Sequence, residues 1–513
     1  MDTVRSAQNR LVNFKPLNLE YYFDEFIEVR DPIKEVLVSP PLTYIPQVKH
    51  RGKRVTFAFD EKEVLRENAT YTINFGESVV DFHEGNKLSN FNYVFATGAN
   101  LDSMSLKGKI QDGITNEPEQ DMVVFLYDIL TDSIVGKEKP FYFARPDKSG
   151  NFEFQNVKTD TFRLIAIKDE NLNYRYDLPT EKIAFYDSII ILQDTFNNVI
   201  SLYSSLPVPP LKILSSESKT YGKVNILCNT APSTQPVYTL SSTQLIHAAE
   251  ISGDSINIYY ETELDSFKVY IYSDTISVKP RGKQDFMKKS RFQKIYSNNS
   301  PQMLPKDSIN ISFNYPLKDI NTNKIIVFDS IGQLDDVKFE QSFDKKSLVI
   351  IYPWVTGEKY TISIDSGLIR SFYSQVNDSL GLEFSILKPE NTAALNITIT
   401  DLDSTETHII NVLRDKKLMY KTMANRVSGM KFIIKGLVPD KYNIEIIRDI
   451  NLNGKWDAGD YWKKSQPEPY KLIKGESIRE NKETAIKVSW TSGLSSGNEP
   501  KQPSSGFQLN IKK

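Results

Sequence analysis

The sequence reads Gly150-Asn-Phe-Glu-Phe-Gln-Asn-Val157, then Phe162-Arg-Leu-Ile-Ala-Ile167, then Asp169-Glu-Asn-Leu-Asn-Tyr-Arg-Tyr-Asp177. Nearly the same order returns as Met430-Lys-Phe-Ile-Ile-Lys-Gly-Leu437, Tyr442-Asn-Ile-Glu-Ile-Ile447 and Asp449-Ile-Asn-Leu-Asn-Gly-Lys-Trp-Asp457. In each copy, two alternating apolar runs lead into the pattern D-x-N-x-N-x-x-x-D. Because successive strand residues point to opposite faces, these runs predict strands with one buried face. The repeat therefore predicts two copies of one β domain, each with the same polar loop.

Alternation of period two also dominates the rest of the chain, as in Tyr71-Thr-Ile-Asn-Phe75 and Tyr360-Thr-Ile-Ser-Ile364. Turn-forming residues separate these runs, and 61–67 is a weak candidate for one or two helical turns. Short alternating strands at this spacing are typical of antiparallel sandwiches. A chain of 513 residues is also too long for a single hydrophobic core. We therefore expect an all-β protein built as a tandem array of antiparallel β-sandwiches.

A second, weaker repeat extends this organisation. The series of strand, connection, strand, polar loop and strand in 55–98 returns in 347–386, and a D-x-N-x-N domain follows each copy. The segment between the two pairs has no counterpart and is interpreted as an additional β domain. The sequence thus predicts five sandwiches and a flexible tail rich in Ser, Gly and Pro. Their predicted limits are 1–100, 103–205, 211–298, 303–389, 393–488 and 489–513.

The D-x-N-x-N-x-x-x-D loops place side-chain oxygens at the spacing of a calcium-binding loop, and Ca²⁺ prefers such hard oxygen ligands. In the second loop the candidate ligands are the side chains of Asp449, Asn451, Asn453, Asp457 and Asp460 and the carbonyl of Lys455. In the first loop they are the side chains of Asp169, Asn171, Asn173 and Asp177 and the carbonyl of Arg175. The second loop fits better, because Gly454 stands at the tight turn where the first loop has Tyr174. The alternative is an Asx-rich turn that satisfies its own backbone amides without metal.

Composition narrows the possible functions. The 63 Lys and Arg residues nearly balance the 65 Asp and Glu residues, which argues against a dedicated nucleic-acid binder. Patterns for a serine-nucleophile elbow, a phosphate-binding glycine loop or a paired-cysteine zinc site are missing, so we do not expect an enzyme. Tyrosines at 259, 260, 270 and 272 and the pair at 461–462 could bind sugars or proteins, although packing between domains is the more ordinary use of such residues.

The first hundred residues resemble the bacterial Ig-like domain named after surface-layer proteins, in the form common in Bacteroidota lipoproteins. The residues that carry this resemblance lie at 22–27, 39–42, 68–76, 81–86 and 91–98. The next domain resembles the small transthyretin-like, or carboxypeptidase-regulatory-like, sandwich in its segments 106–108, 124–127, 150–154 and 169–177. The C-terminal pair resembles the same two domains less closely.

This resemblance implies a non-catalytic lipoprotein of the cell envelope, at the outer membrane or the cell surface. Such a protein would act as a scaffold or an accessory subunit of an outer-membrane complex, with a β-barrel protein as one candidate partner. The sequence begins without an apolar signal-peptide core or a lipobox cysteine, so a lipid anchor is implied by the resemblance alone. The alternative is a carbohydrate-binding or adhesive surface protein, for which the aromatic residues and the calcium-type loops are the motivation.

Overall fold

The computed structural model describes residues 2, 4–88, 91–193, 199–243, 245–298, 303–475 and 477–491. Their regular secondary structure is almost entirely β-strand, which confirms the all-β prediction. The described residues contain two short α-helices, α1 (Pro32–Glu35) and α2 (Lys283–Lys289). None of the helices in these ranges has the length and apolar character needed to cross a lipid bilayer. The predicted flexible tail lies outside the described residues from position 492 onward.

The first sandwich contains two three-stranded sheets, ordered β1-β5-β4 and β3-β6-β8, and a two-stranded pair, β2-β7. Its strands are β1 (Leu19–Tyr22), β2 (Ile27–Val29), β3 (Leu37–Ser39), β4 (Gln47–Arg51), β5 (Arg54–Ala58), β6 (Thr70–Asn74), β7 (Val79–Asp81) and β8 (Asn92–Ala96). The segment 61–67 forms turns and irregular structure and no helix, and its buried Glu63 carboxylate accepts the backbone N–H groups of Thr43 and Tyr44.

The second sandwich packs a sheet ordered β12-β9-β16 against a sheet ordered β11-β10-β13-β14, with β15 beside β13. Its strands are β9 (Met104–Asp112), β10 (Val123–Tyr127), β11 (Tyr142–Ala144), β12 (Asn151–Val157), β13 (Thr161–Ile167), β14 (Ile183–Phe185), β15 (Ile190–Ile191) and β16 (Val199–Ser204). A 3₁₀ turn, Asp132–Gly136, lies between β10 and β11.

The third sandwich has sheets ordered β17-β18-β21-β20 and β19-β22-β23. Its strands are β17 (Ile213–Glu217), β18 (Lys223–Cys228), β19 (Tyr238–Leu240), β20 (Ile246–Ser252), β21 (Ser255–Glu261), β22 (Phe267–Ile271) and β23 (Asp274–Val278). The fourth sandwich has sheets ordered β24-β25-β29-β28 and β27-β30-β32 and the pair β26-β31. Its strands are β24 (Lys294–Ser297), β25 (Ile309–Phe313), β26 (Leu317–Ile320), β27 (Ile326–Phe328), β28 (Lys338–Gln341), β29 (Ser347–Ile351), β30 (Lys359–Ile364), β31 (Ile369–Ser371) and β32 (Leu380–Ser385).

The fifth sandwich has sheets ordered β36-β33-β39 and β35-β34-β37-β38. Its strands are β33 (Ala393–Thr400), β34 (Thr407–Arg414), β35 (Lys417–Asn425), β36 (Gly429–Leu437), β37 (Tyr442–Asp449), β38 (Tyr470–Ile473) and β39 (Glu483–Ser489). Short 3₁₀ turns occur at Thr322–Lys324 in the fourth sandwich and at Pro389–Asn391 before the fifth.

Both predicted repeats are visible in the strand order. The fifth sandwich reproduces the strand order of the second except for the short β15, and in both a last strand runs parallel to the first one, β16 on β9 and β39 on β33. The fourth sandwich likewise reproduces the first, with β25-β29-β28 in place of β1-β5-β4 and β27-β30-β32 in place of β3-β6-β8. The chain is therefore a duplicated pair of sandwiches with an additional sandwich between the copies.

One predicted limit needs correction. The division between the third and fourth sandwiches was expected near residue 300, but β24 pairs with β25 and so belongs to the fourth sandwich. Phe292, just before β24, is also buried in the fourth core, where its ring stacks on that of Phe313 at 4.9 Å. The division therefore precedes residue 292, because strand pairing and an aromatic anchor assign the segment to the fourth sandwich.

Neighbouring sandwiches share buried contacts. Phe372 and Tyr373 of the fourth sandwich lie in the hydrophobic core of the third, and the Tyr373 hydroxyl donates to the Gly222 carbonyl at 2.6 Å. Beside them, the buried ammonium of Lys346 pairs with the Glu250 carboxylate at 2.8 Å. The third and fourth sandwiches are therefore joined by a packed interface and not only by their linker.

Candidate calcium-type loops and the interface beside them

The second calcium-type loop begins where β37 ends, at Asp449. The buried carboxylate of Asp449 accepts the backbone N–H groups of Asn453 at 3.1 Å and of Gly454 at 2.9 Å. To bring these groups back toward β37, the chain takes positive φ angles at Leu452 (59°) and at Gly454 (78°). The glycine adopts its angle without steric cost, which explains its place in the motif.

The remaining polar side chains of this loop bond to one another. The Asn451 side-chain amide donates to the Asp457 carboxylate at 2.5 Å, and the Asn453 amide donates to the same oxygen. The Asn453 side-chain oxygen accepts the N–H group of Lys455 at 3.0 Å. Asp449, Asn451, Asn453 and Asp457 are thus brought together as the sequence predicts, in an arrangement that is self-satisfied in the structure.

Glu468 completes this loop and was not predicted from the sequence. Its buried carboxylate accepts the N–H groups of Ile450 at 2.8 Å and of Asp457 at 3.1 Å. Burial raises the pKa of Glu468 above its ordinary value, and the nearby carboxylates of Asp457 and Asp449 raise it further. Its position, eleven residues beyond Asp457 in the chain, is far outside the usual spacing, so the motif alone could not have revealed it.

Asp460 does not take the place that the spacing assigned to it. Its carboxylate instead accepts the N–H groups of Trp462 at 3.0 Å and Lys463 at 3.2 Å, and it pairs with the Lys463 ammonium at 2.8 Å. The side chain therefore closes a separate turn and does not join the other candidate ligands of the loop, whereas Glu468 contacts the loop backbone.

The first loop has the same construction. Asp169 accepts the N–H groups of Asn173 at 3.2 Å and of Tyr174 at 2.8 Å, as Asp449 does at the matching positions. The amides of Asn171 and Asn173 donate to Asp177 at 3.1 and 2.7 Å. Arg175, whose carbonyl is the remaining candidate, donates its N–H group to the Asn173 side chain at 2.8 Å.

Glu181 takes the role that Glu468 has in the second loop. It accepts the N–H groups of Asp177 at 3.2 Å and of Leu178 at 3.1 Å, and burial raises its pKa. Tyr174 stands at the glycine position with a φ of 59°, a conformation that is uncommon for a bulky residue. The two loops therefore share one hydrogen-bond pattern, although only the second has glycine where the chain turns left-handed.

The donor set of the loops fits a hard cation. Carboxylate, amide and carbonyl oxygens are the ligands that Ca²⁺ prefers. Across the described ranges, however, His, Cys, Asp and Glu side chains alone form no group of three or more that could hold a metal ion. A calcium ion would therefore depend on the Asn side chains and backbone oxygens as well, and it would compete with the Asn amides for Asp457 and Asp177.

The segment that separates Glu468 from its loop crosses to the second sandwich, and we call residues 457–467 the clasp. Tyr461 of the clasp is fully buried in a cluster with Phe125, Ile165 and Phe185, and its ring meets that of Phe185 at 5.4 Å. Its hydroxyl donates to the Asp132 carbonyl at 3.2 Å. This burial raises the pKa of Tyr461 to about 12. The clasp thus packs against the outer face of the β11-β10-β13-β14 sheet through Tyr461.

Polar bonds extend the contact along the clasp. The Gly459 N–H group donates to the Ser205 hydroxyl at 2.9 Å, and the Gln466 side chain donates to the Phe185 carbonyl at 2.9 Å. The Lys464 ammonium pairs with Asp132 at 2.6 Å. Trp462 stacks on Tyr176 at 6.3 Å but remains largely exposed. The second and fifth sandwiches are therefore held together although some two hundred residues separate them in the chain.

The aromatic residues of the third sandwich divide into two groups. Tyr259 and Tyr260 are buried in the structure, which is the packing use expected of most of these side chains. Tyr270 and Tyr272 are exposed, on and just after β22. Only this second pair is available to a ligand.

Comparison with known proteins identifies one part of the chain. Residues 5–97 match the family described as bacterial Ig-like domain, which agrees with the resemblance found in the first sandwich. The match covers less than a fifth of the chain and so assigns a family to that sandwich only. A search of curated proteins found no match.

Several solved structures are similar to this chain at low sequence identity. Native alpha-2-macroglobulin from Escherichia coli, domains MG0-NIE-MG1, is 10% identical, with 38% of this chain and 93% of that chain covered and a TM-score of 0.20. Surface layer protein SbsC, domains 1–6, is 9% identical over 91% of this chain and 66% of that chain, with a TM-score of 0.16. BcpA, the major pilin subunit of Bacillus cereus, is 8% identical, with 76% of this chain and 99% of that chain covered and a TM-score of 0.13. Scores this low carry no argument about function.

Proposed function

We propose that this protein is a non-catalytic envelope or surface protein that serves as a scaffold or accessory subunit of an outer-membrane protein complex. The observation that carries the proposal is the clasp, which packs the fifth sandwich against the second although the two are far apart in sequence. Sandwiches joined through buried contacts present their surfaces in fixed relative positions, as a scaffold requires. The resemblance of the first and second sandwiches to those of envelope lipoproteins supports the location, and with it attachment through a lipid anchor.

Purification from the native membrane tests this proposal. The full chain, tagged at an exposed site, would be extracted from membranes of the producing bacterium in mild detergent, with an untagged strain as the control. We expect at least one membrane protein to co-purify in a fixed molar ratio. Recovery of the tagged chain alone, as a monomer released without detergent, would contradict both the partner and the location.

We also propose that the two loops bind calcium, the second more tightly than the first. In the second loop the ligands would come from Asp449, Asn451, Asn453, Asp457 and the Lys455 carbonyl. The gathering of the Asp449, Asn451, Asn453 and Asp457 side chains within one loop supports this proposal, because their oxygens are the ligand type that Ca²⁺ prefers. Bound calcium would supply structural stability and no reaction chemistry.

A second candidate function is carbohydrate binding, for which the exposed pair Tyr270 and Tyr272 is the specific observation. Exposed aromatic rings bind sugar faces as well as proteins. A glycan array would test it with the wild-type chain and a Y270A/Y272A variant. Absence of binding by the wild type, in calcium and in chelator, would exclude this function.

A further inference from the structure

A groove runs between the first and second sandwiches, and we call it the interdomain groove. Its cavity volume is about 440 Å³, within the usual range for binding pockets. One wall comes from residues 32–48 of the first sandwich, and the other comes from Lys139, Phe143 and residues 172–175 of the second. The first calcium-type loop therefore contributes part of the second wall.

The rim of this groove is unusually apolar for a surface. Ile33 and Ile45 are 70% and 71% exposed, and Tyr44 and Leu172 also lie open beside the cavity. Single exposed apolar side chains are ordinary in soluble proteins, but several that surround one cavity mark an interaction site. The groove thus offers apolar surface that the described chain itself leaves uncovered.

Hydrogen bonds hold the walls of the groove in place. The Glu63 carboxylate accepts the N–H groups of Thr43 at 3.1 Å and Tyr44 at 2.8 Å, which fixes the loop on the first side. Between the sandwiches, the Phe143 N–H group donates to the Ser39 hydroxyl at 2.8 Å, and the Arg145 guanidinium donates to the Lys34 carbonyl. The groove is therefore preformed, which lowers the entropic cost of binding.

The charges in the groove have one sign. Lys139 and Arg175 are its charged lining residues, and the lining contains neither Asp nor Glu. The lining therefore offers two cationic groups, and within the described part of the chain neither of them forms an ion pair. A carboxylate is the acceptor that an arginine binds most strongly. Charge complementarity therefore calls for an anionic, apolar occupant.

We propose that the interdomain groove binds an extended segment of a partner protein in which large apolar side chains stand next to an Asp or Glu. The apolar side chains cover the surface beside Ile33, Tyr44 and Ile45, and the carboxylate pairs with Arg175 and Lys139. This inference rests on the proposed function, because an accessory subunit needs a surface for its partner. It adds the position of that surface and the chemistry of the segment that occupies it.

Displayed random dodecapeptides, selected on the full-length chain, provide the test. Selected sequences should combine at least two large apolar residues with one Asp or Glu. Their affinity should fall about tenfold or more on a K139E/R175E variant, because the carboxylate would then face like charges. A K139Q/R175Q variant, which introduces no repulsion, should lose affinity in the same direction. Replacing the acidic residue of a selected peptide by Lys should abolish binding to the wild type.

Control variants determine whether the two cations of the groove are responsible for this binding. A K338E/K435E variant changes two exposed lysines elsewhere and should bind the selected peptides like the wild type. Thermal unfolding of each variant would establish that it is folded. Three results would overturn the proposal. The selected peptides could lack acidic residues, or their binding could be unchanged in the groove variants. Hexadecanoate, a fatty acid, could also displace every selected peptide, which would make the groove a fatty-acid site. If membrane purification recovers the same partner with K139Q/R175Q, the groove assignment fails while the scaffold function stands.

Discussion

The second and fifth sandwiches share one strand order but differ on one face. The two sandwiches can be aligned by matching Asp169 with Asp449. In this alignment Phe125 corresponds to Asn411, and their cross-strand neighbours, Ile165 and Glu445, also correspond. In the second sandwich this outer face is apolar and lies beneath Tyr461 of the clasp. In the fifth sandwich the Asn411 amide donates to Glu445 at 3.1 Å, and the Tyr470 hydroxyl donates to the same carboxylate at 2.6 Å.

This difference shows how one duplicated fold acquires two roles. The inner faces are both apolar, because each sandwich needs its own core. The outer faces differ: that of the second sandwich is apolar and receives Tyr461, whereas that of the fifth is mixed, with the Asn411–Glu445 pair beside a small buried cluster of Ile409, Ile447 and Tyr470. The second sandwich is the receiving domain, and the fifth supplies the clasp that covers it. Substitutions that exchange these outer faces should therefore have unequal effects.

The largest effect is expected when Phe125 is replaced by the residue of the fifth sandwich. F125N would remove a fully buried ring that packs against Phe143 and Tyr174, and would leave an amide in the apolar cluster that also holds Tyr461. We expect the free energy of unfolding to fall by about 4 kcal/mol, from the cavity and the unsatisfied amide together. Urea denaturation of the full chain, followed by tryptophan fluorescence, would measure the change.

The reciprocal substitution N411F is the control for Phe125. Asn411 is only partly buried and would lose one hydrogen bond to Glu445, so we expect a change of about 1 kcal/mol or less. Equal effects of F125N and N411F would mean that the two outer faces are energetically equivalent, contrary to the structure.

The next effect tests the clasp from the other side. Y461A would remove the side chain that seals the outer face, together with its bond to the Asp132 carbonyl. A loss of about 3 kcal/mol is expected for a buried aromatic residue. Calorimetry should also show the second and fifth sandwiches beginning to unfold separately. W462A, which alters a neighbouring ring that is 56% exposed, should cost about 1 kcal/mol.

Much of this architecture could be predicted because its causes are local. Alternation in runs such as Tyr71 to Phe75 determines which face is buried, and the duplicated pattern shows that two domains share a fold. Pairing partners are not local, which is why β24 was assigned to the wrong sandwich. Glu63 gives a second example, because its carboxylate bonds to Thr43 and Tyr44, which lie about twenty residues earlier in the chain.

The two calcium-type loops could be predicted only in part, because some of their contacts depend on residues outside the motif. The spacing of Asp, Asn and Asn residues is a local signal, and the structure brings these side chains together. Glu468 returns to the loop after the clasp has crossed another domain, so its place depends on a tertiary contact. Glu181 occupies the same place in the first loop after a short connection. Comparing the two copies in the sequence could have suggested that an acidic residue beyond the motif was needed.

Calcium should stabilise the folded chain through the second loop more than through the first. At a hundredfold excess over its dissociation constant, a bound ion stabilises the folded chain by about 2.7 kcal/mol. Thermal unfolding of the full chain in millimolar calcium and in chelator should show this shift for the wild type. D449A should remove most of it and D169A less, because Tyr174 occupies the glycine position of the first loop. Identical melting in calcium and in chelator would leave both loops as Asx turns.

The smallest effect concerns a buried histidine that has no equivalent in the second sandwich. His408 is fully buried, and neither ring nitrogen has a hydrogen-bond partner in the described residues. Its ring packs edge-on against Trp490 at 5.2 Å. Burial lowers the pKa of His408, and the Arg448 guanidinium lowers it further, while Asp403 and Glu406 act in the opposite direction. In the second sandwich the residue that corresponds to His408 is Met122, a buried apolar residue immediately before β10.

This exchange gives a pH-dependent prediction for H408M. In the unfolded chain, His408 binds a proton below pH about 6.5. In the folded chain its pKa is lower, so the proton favours the unfolded state in the pH range between the two pKa values. The free energy of unfolding of the wild type therefore falls as the pH drops from about 6.5 toward the folded pKa. H408M has no such proton, so its stability relative to the wild type should rise as the pH falls from 8 to 5. At pH 8 the difference should shrink to the effect of packing alone. Urea denaturation at both pH values would measure it, with M122L as a control without a titrating group. A constant difference between H408M and the wild type across this pH range would mean that His408 is protonated equally in both states, and that burial in the fifth sandwich does not exclude the proton.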